Sequence, residues 1–154
     1  LPVSLQRVRR IADFQFGSGE GDSLVPDKTT FSYSKTKRIR YANLGKTRLV
    51  TVRAGDGRLT LGYAAAERLH TFLPAPKNRV VVMADAVPFI LDGKNAMAKH
   101  VIASDPDIMA EDEVFVVDEN DNLLATGMAI LSGTEMLGFS YGTAVKVRQG
   151  KNRQ

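Results

Sequence analysis

The sequence predicts an α+β amino-terminal domain followed by a small mixed β-barrel with two short helices. Three observations lead there. In Leu73-Pro74-Ala75-Pro76-Lys77-Asn78 two prolines stand two residues apart, which stops a helix, favours extended backbone and marks a short, stiff linker. The pattern changes across it: strands flanked by helices come before, and several short strands with two small helices come after, as a closed or nearly closed barrel requires. The charge divides as well. Residues 1–77 hold 14 Lys+Arg against 6 Asp+Glu, net +8, and residues 78–154 hold 7 against 11, net −4. Two domains follow, 1–76 and 77–154.

The first domain opens with a helix over 4–15. Ser4 can cap it, and Leu5, Val8, Ile11 and Ala12 fall on one face. Gly17-Ser18-Gly19-Glu20-Gly21 ends it in a loop. Strands are predicted over 30–34, 38–44, 47–53 and 58–61, with turn signals at Asn43-Leu44-Gly45-Lys46 and Gly55-Asp56-Gly57. A helix over 63–72 carries Ala65, Leu69 and Phe72 inward. The second domain starts with a nearly all-apolar strand over 79–83. Asp85 can cap a short helix with Pro88 in its first turn, and Gly93 stands where a left-handed stop is needed. Strands follow over 98–102, 113–117, 123–130 and 143–148. Asp118-Glu119-Asn120-Asp121-Asn122 is a polar hairpin turn. Ser132-Gly133-Thr134-Glu135 is a capping box opening a helix of one or two turns.

Composition excludes several classes. The 154 residues, 44% hydrophobic and 25% charged, are ordinary for a soluble globular protein. No apolar run approaches the ~20 residues of a membrane span. Arg7, Arg9 and Arg10 are not followed by an apolar stretch and a small-residue cleavage site, so no signal peptide is expected. Cysteine is absent, which removes disulfides, thiolate nucleophiles and cysteine zinc sites, and fits a cytoplasmic location. No Ser/His/Asp set, carboxylate pair or metal cluster is visible, so neither catalytic nor metal-binding residues are expected. Gly17-x-Gly19-x-Gly21 follows a helix and lacks nucleotide-loop spacing. Asp118-x-Asn120-x-Asn122 begins like a calcium loop, but Leu123 and Ala129 occupy its glycine and glutamate positions. No cofactor is predicted. The acids Asp105, Asp107, Glu111, Asp112 and Glu113 read as a solvated loop rather than a Mg²⁺ site.

The cations point instead to a polyanion. Residues 28–55 contain eight Lys or Arg, among them Lys35, Lys37, Arg38 and Arg40, and no acid, with Phe31, Tyr33 and Tyr41 interleaved. Basic strands with aromatics can follow a nucleic-acid backbone and stack bases. The competing reading is a solvated basic sheet over core aromatics. In Gly93-Lys94-Asn95, a glycine turn lets phosphate approach backbone N–H groups and Lys94 supplies charge. The alternative is a helix stop with a solvated lysine. Lys99 and His100, adjacent on a predicted strand, would point to opposite faces, with Lys99 as the phosphate contact. Lys146 and Arg148 alternate with Val145 and Val147, and with Lys151 and Arg153 beyond them they form either a phosphate track or a solvated strand face.

The order of Gly93-Lys94-Asn95-Ala96-Met97-Ala98-Lys99-His100-Val101, then Ala110-Glu111-Asp112-Glu113-Val114-Phe115-Val116-Val117-Asp118, then Leu124-Ala125-Thr126-Gly127-Met128-Ala129 and a closing Gly142-Thr143-Ala144-Val145-Lys146-Val147-Arg148 resembles a PUA domain. The likeness is to the PUA domain of archaeal tRNA-guanine transglycosylases and archaeosine synthase. Ile11-Ala12-Asp13-Phe14-Gln15-Phe16-Gly17, the Leu59-Thr60-Leu61 strand with its following helix, and Pro76-x-Asn78-Arg79-Val80-Val81-Val82 are similar to the domain preceding PUA there. One departure is Glu111, where many PUA domains have Gly. Another is that the catalytic barrel of those enzymes, with its aspartate nucleophile and zinc site, is missing from this sequence. The resemblance implies binding of tRNA or other structured RNA by a non-enzymatic protein serving an RNA-modification pathway, with a catalytic RNA-modifying subunit as partner. The rival expectation is a protein-interaction subunit for which RNA is incidental.

Overall fold

The computed structural model describes residues 2–154 and divides the chain into two units, Leu1–Phe72 and Leu73–Gln154. In the first, α1 (Val3–Phe16) buries Leu5, Val8, Ala12 and Phe16 along one stripe, with Ile11 half-buried at its margin. Ser4 does not cap it. Pro2 holds the cap position, and the Ser4 hydroxyl pairs with the Tyr33 hydroxyl at 2.7 Å. The glycine loop contains a helix that the sequence reading missed, α2 (Glu20–Leu24). Asp13 Oδ1 accepts the Gly21 N–H at 2.6 Å, and a Cβ at Gly21 would strike the Arg9 backbone, so glycine is what lets α2 cross α1 this closely.

Strands β1 (Thr30–Tyr33), β2 (Ile39–Leu44), β3 (Thr47–Val52) and β4 (Leu59–Leu61) form an antiparallel meander in that order. Helix α3 (Tyr63–Phe72) matches its predicted span and buries Tyr63, Ala65, Ala66 and Leu69. Phe72, expected inward, is 55% exposed. Three residues past Leu69 it falls off the apolar stripe, and Leu73, four past, is the buried side chain.

The second unit is a nearly closed mixed six-strand barrel with short helices. Its strands are β5 (Arg79–Val82), β6 (Ala96–Met97), β7 (Val101–Ser104), β8 (Glu113–Val117), β9 (Leu123–Ala129) and β10 (Thr143–Gly150), ordered β6-β10-β9-β8-β5-β7. Only β5 and β8 pair in parallel. Val80, Val82, Ile90, Val114, Val116, Met136 and Val145 are among the side chains filling the barrel. Helix α4 (Val87–Leu91) has Pro88 in its first turn, but Asp85 lies in a preceding 3-10 turn and caps nothing through its side chain. The capping box forms as read: Ser132 Oγ accepts from the Glu135 N–H at 3.2 Å, Glu135 Oε1 accepts from the Ser132 N–H at 2.9 Å, and α5 (Gly133–Gly138) follows.

The strand predicted over 98–102 is broken. Ala98–His100 is a 3-10 turn between β6 and β7, so strand alternation does not govern Lys99 and His100. The strand over 79–83 contains a buried cation. Arg79 lies against Phe115, its guanidinium 5.6 Å from the ring centre, and bonds Asp121 of the β8–β9 turn at 3.1 and 3.3 Å. Two members of the predicted solvated acidic loop are structural. Asp105 is buried and accepts the Asn78 and Asp107 N–H groups at 2.8 and 2.9 Å. Glu113 is fully buried.

Candidate nucleic-acid interface

In the barrel unit, the local chain geometry gathers part of the expected cationic set. Gly93 ends α4 with φ of 93°, which glycine adopts without steric cost. A Cβ at Gly150, the last residue of β10, would strike the Leu91 and Ile90 carbonyls and the Gly93 nitrogen. The end of β10 is therefore pressed against the Gly93 turn. Asn95 Oδ1 accepts the Val147 N–H at 3.0 Å, tying the following segment to β10. Met97 and Ala96 pair with Thr143 and Val145, and the Ala98 N–H donates to the Gly142 carbonyl at 2.9 Å. So Lys94, Asn95 and Lys99, widely separated from β10 in sequence, lie on a segment running along it. After β10 a 3-10 turn, Lys151–Arg153, folds back, and Asn152 Nδ2 donates to Asp92 Oδ1 at 3.3 Å. Arg153 comes to lie beside Gly93.

Lys94, Lys99, Lys146 and Lys151 are exposed, and among the described residues no carboxylate pairs with them. Arg148 differs. Its guanidinium forks onto Glu113, with Nη1–Oε1 at 2.5 Å and Nη2–Oε2 at 3.0 Å. The Glu113 side chain is 0% exposed and that of Arg148 is 34% exposed. The alternation along β10 holds, with Lys146 and Arg148 exposed and Val147 packed against the core between them, so Arg148 differs from Lys146 by its partner and not by its face. The Arg148 charge is spent on a buried carboxylate, and its first task is to hold β10 to β8.

In the first unit, Lys35 and Lys37 lie on the β1–β2 turn, with Arg38 at its end and Arg40 within β2. All four are exposed and none has a carboxylate partner among the described residues. The turn is internally fastened: Ser34 N–H to the Arg38 carbonyl at 2.8 Å, Lys37 N–H to the Ser34 carbonyl at 2.9 Å, and Lys37 at a left-handed φ of 61°. Tyr41 is not the open stacking platform expected from sequence. The Arg48 guanidinium sits 3.5 Å from its ring centre and that of Arg40 4.9 Å away. The ring holds two cations by their attraction to its π face. Tyr33 remains half-exposed with its hydroxyl tied to Ser4.

Residues 6–76 match the patch-forming domain C2 of tRNA-guanine transglycosylase, and residues 78–151 match the PUA domain. The chain carries a match to the PUA domain over its second half, and the PUA domain is an RNA-binding fold. Its C2–PUA pair is of the kind found in the C-terminal region of archaeal tRNA-guanine(15) transglycosylases. It is 49% identical over 143 residues to that enzyme of Pyrococcus furiosus, covering 93% of this chain and 24% of the relative. With the Methanobrevibacter smithii enzyme it shares 46% over 150 residues, 97% of this chain and 23% of the relative. The chain thus spans about a quarter of the length of these relatives. Among solved structures, a hypothetical protein of Pyrococcus horikoshii superposes with a TM-score of 0.71 at 26% identity, over 95% of this chain and 89% of that one. A PUA domain from Aeropyrum pernix has the same fold, with a TM-score of 0.67 at 13% identity, over 98% of this chain and 84% of that one.

Proposed function

We propose that the chain is a non-catalytic RNA-binding protein that grips tRNA, or another structured RNA, for an RNA-modification pathway, and that the chemistry belongs to a catalytic RNA-modifying partner. The carrying observation is the unpaired cationic surface where the Gly93 turn and the Lys94–Lys99 segment run along β10 of a PUA barrel. Phosphates would be met by Lys94, Lys99, Lys146 and Lys151, with the Gly93 and Asn95 backbone positioning them and Arg153 adding charge beside Gly93. Arg148 serves this surface by keeping β10 in place. Lys35, Lys37, Arg38 and Arg40 extend the grip in the C2 unit. The similarity to tRNA-guanine(15) transglycosylases supports tRNA as the RNA.

The test is a salt titration with tRNA. Log K should fall steeply with log salt, and Lys94→Gln, Lys99→Gln and Lys146→Gln should each lower the slope by roughly 0.7 to 0.9. Binding that ignores salt, or no binding, overturns the reading. A second reading, a protein-interaction subunit, is favoured by one observation: Leu137, Phe139 and Tyr141, at the end of α5 and before β10, are half or more exposed or nearly so, at 53%, 46% and 80%. A partner retained through nuclease and high salt, with no RNA affinity in the pure chain, would replace the first reading by this one.

A further inference from the structure

In a four-stranded meander the β1–β2 and β3–β4 turns emerge at the same end of the sheet. Between them lies a concavity of about 420 Å³ lined by the cations Lys35, Arg38, Arg40 and Arg53 and the hydroxyl residues Ser34 and Thr51. Arg53 was not singled out as a site residue from sequence. Its backbone is set by the β3–β4 turn, where its N–H donates to the Arg58 carbonyl at 2.9 Å and its carbonyl accepts the Gly57 N–H at 3.0 Å.

The Arg53 guanidinium is poorly satisfied. Nε and Nη2 are both buried without a hydrogen-bond partner. The nearest carboxylate oxygen, Asp56 Oδ1, stands 3.4 Å from Nε and already accepts the Arg58 N–H at 2.9 Å. Buried polar groups are nearly always hydrogen-bonded, and a charged donor left without a partner is costly. The neighbouring cations make the deficit larger: four positive side chains line the concavity and one carboxylate, Asp56, touches the set. Arg40 is held by the Tyr41 ring, which Arg48 also covers, so it is steadied before any ligand arrives. Planar guanidinium forks match the tetrahedral oxygens of a phosphate.

We propose that this concavity in the C2 unit is a discrete phosphate-binding site, with Arg53 as its central ligand and Lys35, Arg38 and Arg40 around it, and that the phosphate it takes is a backbone phosphate of the bound RNA. The choice of RNA rests on the function proposed above; the anion site itself does not. An RNA phosphate and a free phosphate share the chemistry, so both are probes.

The full chain, labelled with nitrogen-15, is titrated with tRNA, with a short oligouridylate and with inorganic phosphate, following the Arg53 Nε–Hε resonance. Both RNAs should move that resonance saturably, and inorganic phosphate should move it more weakly and be displaced by RNA. Arg53→Gln should weaken tRNA binding about tenfold and lower the salt slope by roughly 1. Arg53→Lys should restore the slope but not the affinity, because charge returns without the fork. Should Arg53→Gln fail to fold, the exposed pair Lys35→Gln and Arg38→Gln must reduce the RNA-induced shift of Arg53. If tRNA binds while the Arg53 resonance stays still and the Gln variant keeps its slope, the pocket assignment is wrong and the general RNA reading survives. Inorganic phosphate saturating the site in a chain that binds no RNA overturns the RNA reading and the source assigned here. No response to either probe removes the site altogether.

Discussion

Glu111 sits at a φ of 77°, with its N–H donating to the Ala129 carbonyl at 2.7 Å. This is the position where the sequence departs from the glycine of many PUA domains, and the left-handed backbone is costly for a residue with a Cβ. Glu111→Gly should raise stability by about 0.5 to 1 kcal/mol, the relief of that conformation being partly offset by glycine's greater freedom when unfolded. Denaturant midpoints check it; a lower midpoint refutes it. Arg148 makes the opposite case. Arg148→Ala would leave the Glu113 carboxylate buried without its partner, and should cost about 3 kcal/mol. The loss should appear as unfolding in the absence of RNA, which separates a strut from an RNA contact. Arg148→Ala with wild-type stability but weakened RNA binding would return Arg148 to the contact surface.

At the level of elements, turns and caps carry much of the local order. The Asp118 carboxylate organises the β8–β9 turn. Its burial acts to raise the pKa, but hydrogen bonds from the Asn122 side chain and from the Asn122 and Asn120 N–H groups outweigh this and hold it below its ordinary value. The folded pKa is thus below the unfolded one, so the group stabilises fully above the unfolded value, near 3.9, and this is lost as pH falls through the folded value. Asp118→Ala should therefore lower the melting temperature at neutral pH and have a shrinking effect as pH drops below about 4. A constant difference across that range would show that the carboxylate charge is not what organises the turn. In α5 the Ser132 N–H bond, and then its side chain, hold the Glu135 carboxyl below its usual range. Ser132→Ala should cost about 1 kcal/mol, and the Glu135 titration should move only part of the way back toward an ordinary glutamate, because the backbone N–H at position 132 still donates to it. Carbon-13 NMR of the Glu135 carboxyl would show whether it does.

Over the whole molecule the charge is lopsided, and its reach is set by salt. The most basic stretch lies within residues 28–55 of the C2 unit, while the barrel half is net acidic. Exposed cations away from the pocket, such as Lys46, should act on encounter rather than on residence. Lys46→Gln should slow RNA association a few-fold at low salt with little change in dissociation. Stopped-flow binding distinguishes the two, and a change confined to dissociation would make Lys46 a direct contact. Division into an α+β part and a small barrel, most strand positions, the α5 capping box and the Gly93 turn are all visible in the sequence, because periodicity, caps and turn residues act over a few neighbours. Pairings across the sheets are not local, and so they were hidden. Glu113 looked like a loop acid and Arg148 like a free cation until β8 and β10 came within reach of each other; Tyr41 looked open until Arg48 folded over it; Arg53 looked like one more cation in a run. A single chain displays which side chains are charged, but whether a charge is spent inside the protein or left for a ligand depends on what the folded backbone brings beside it.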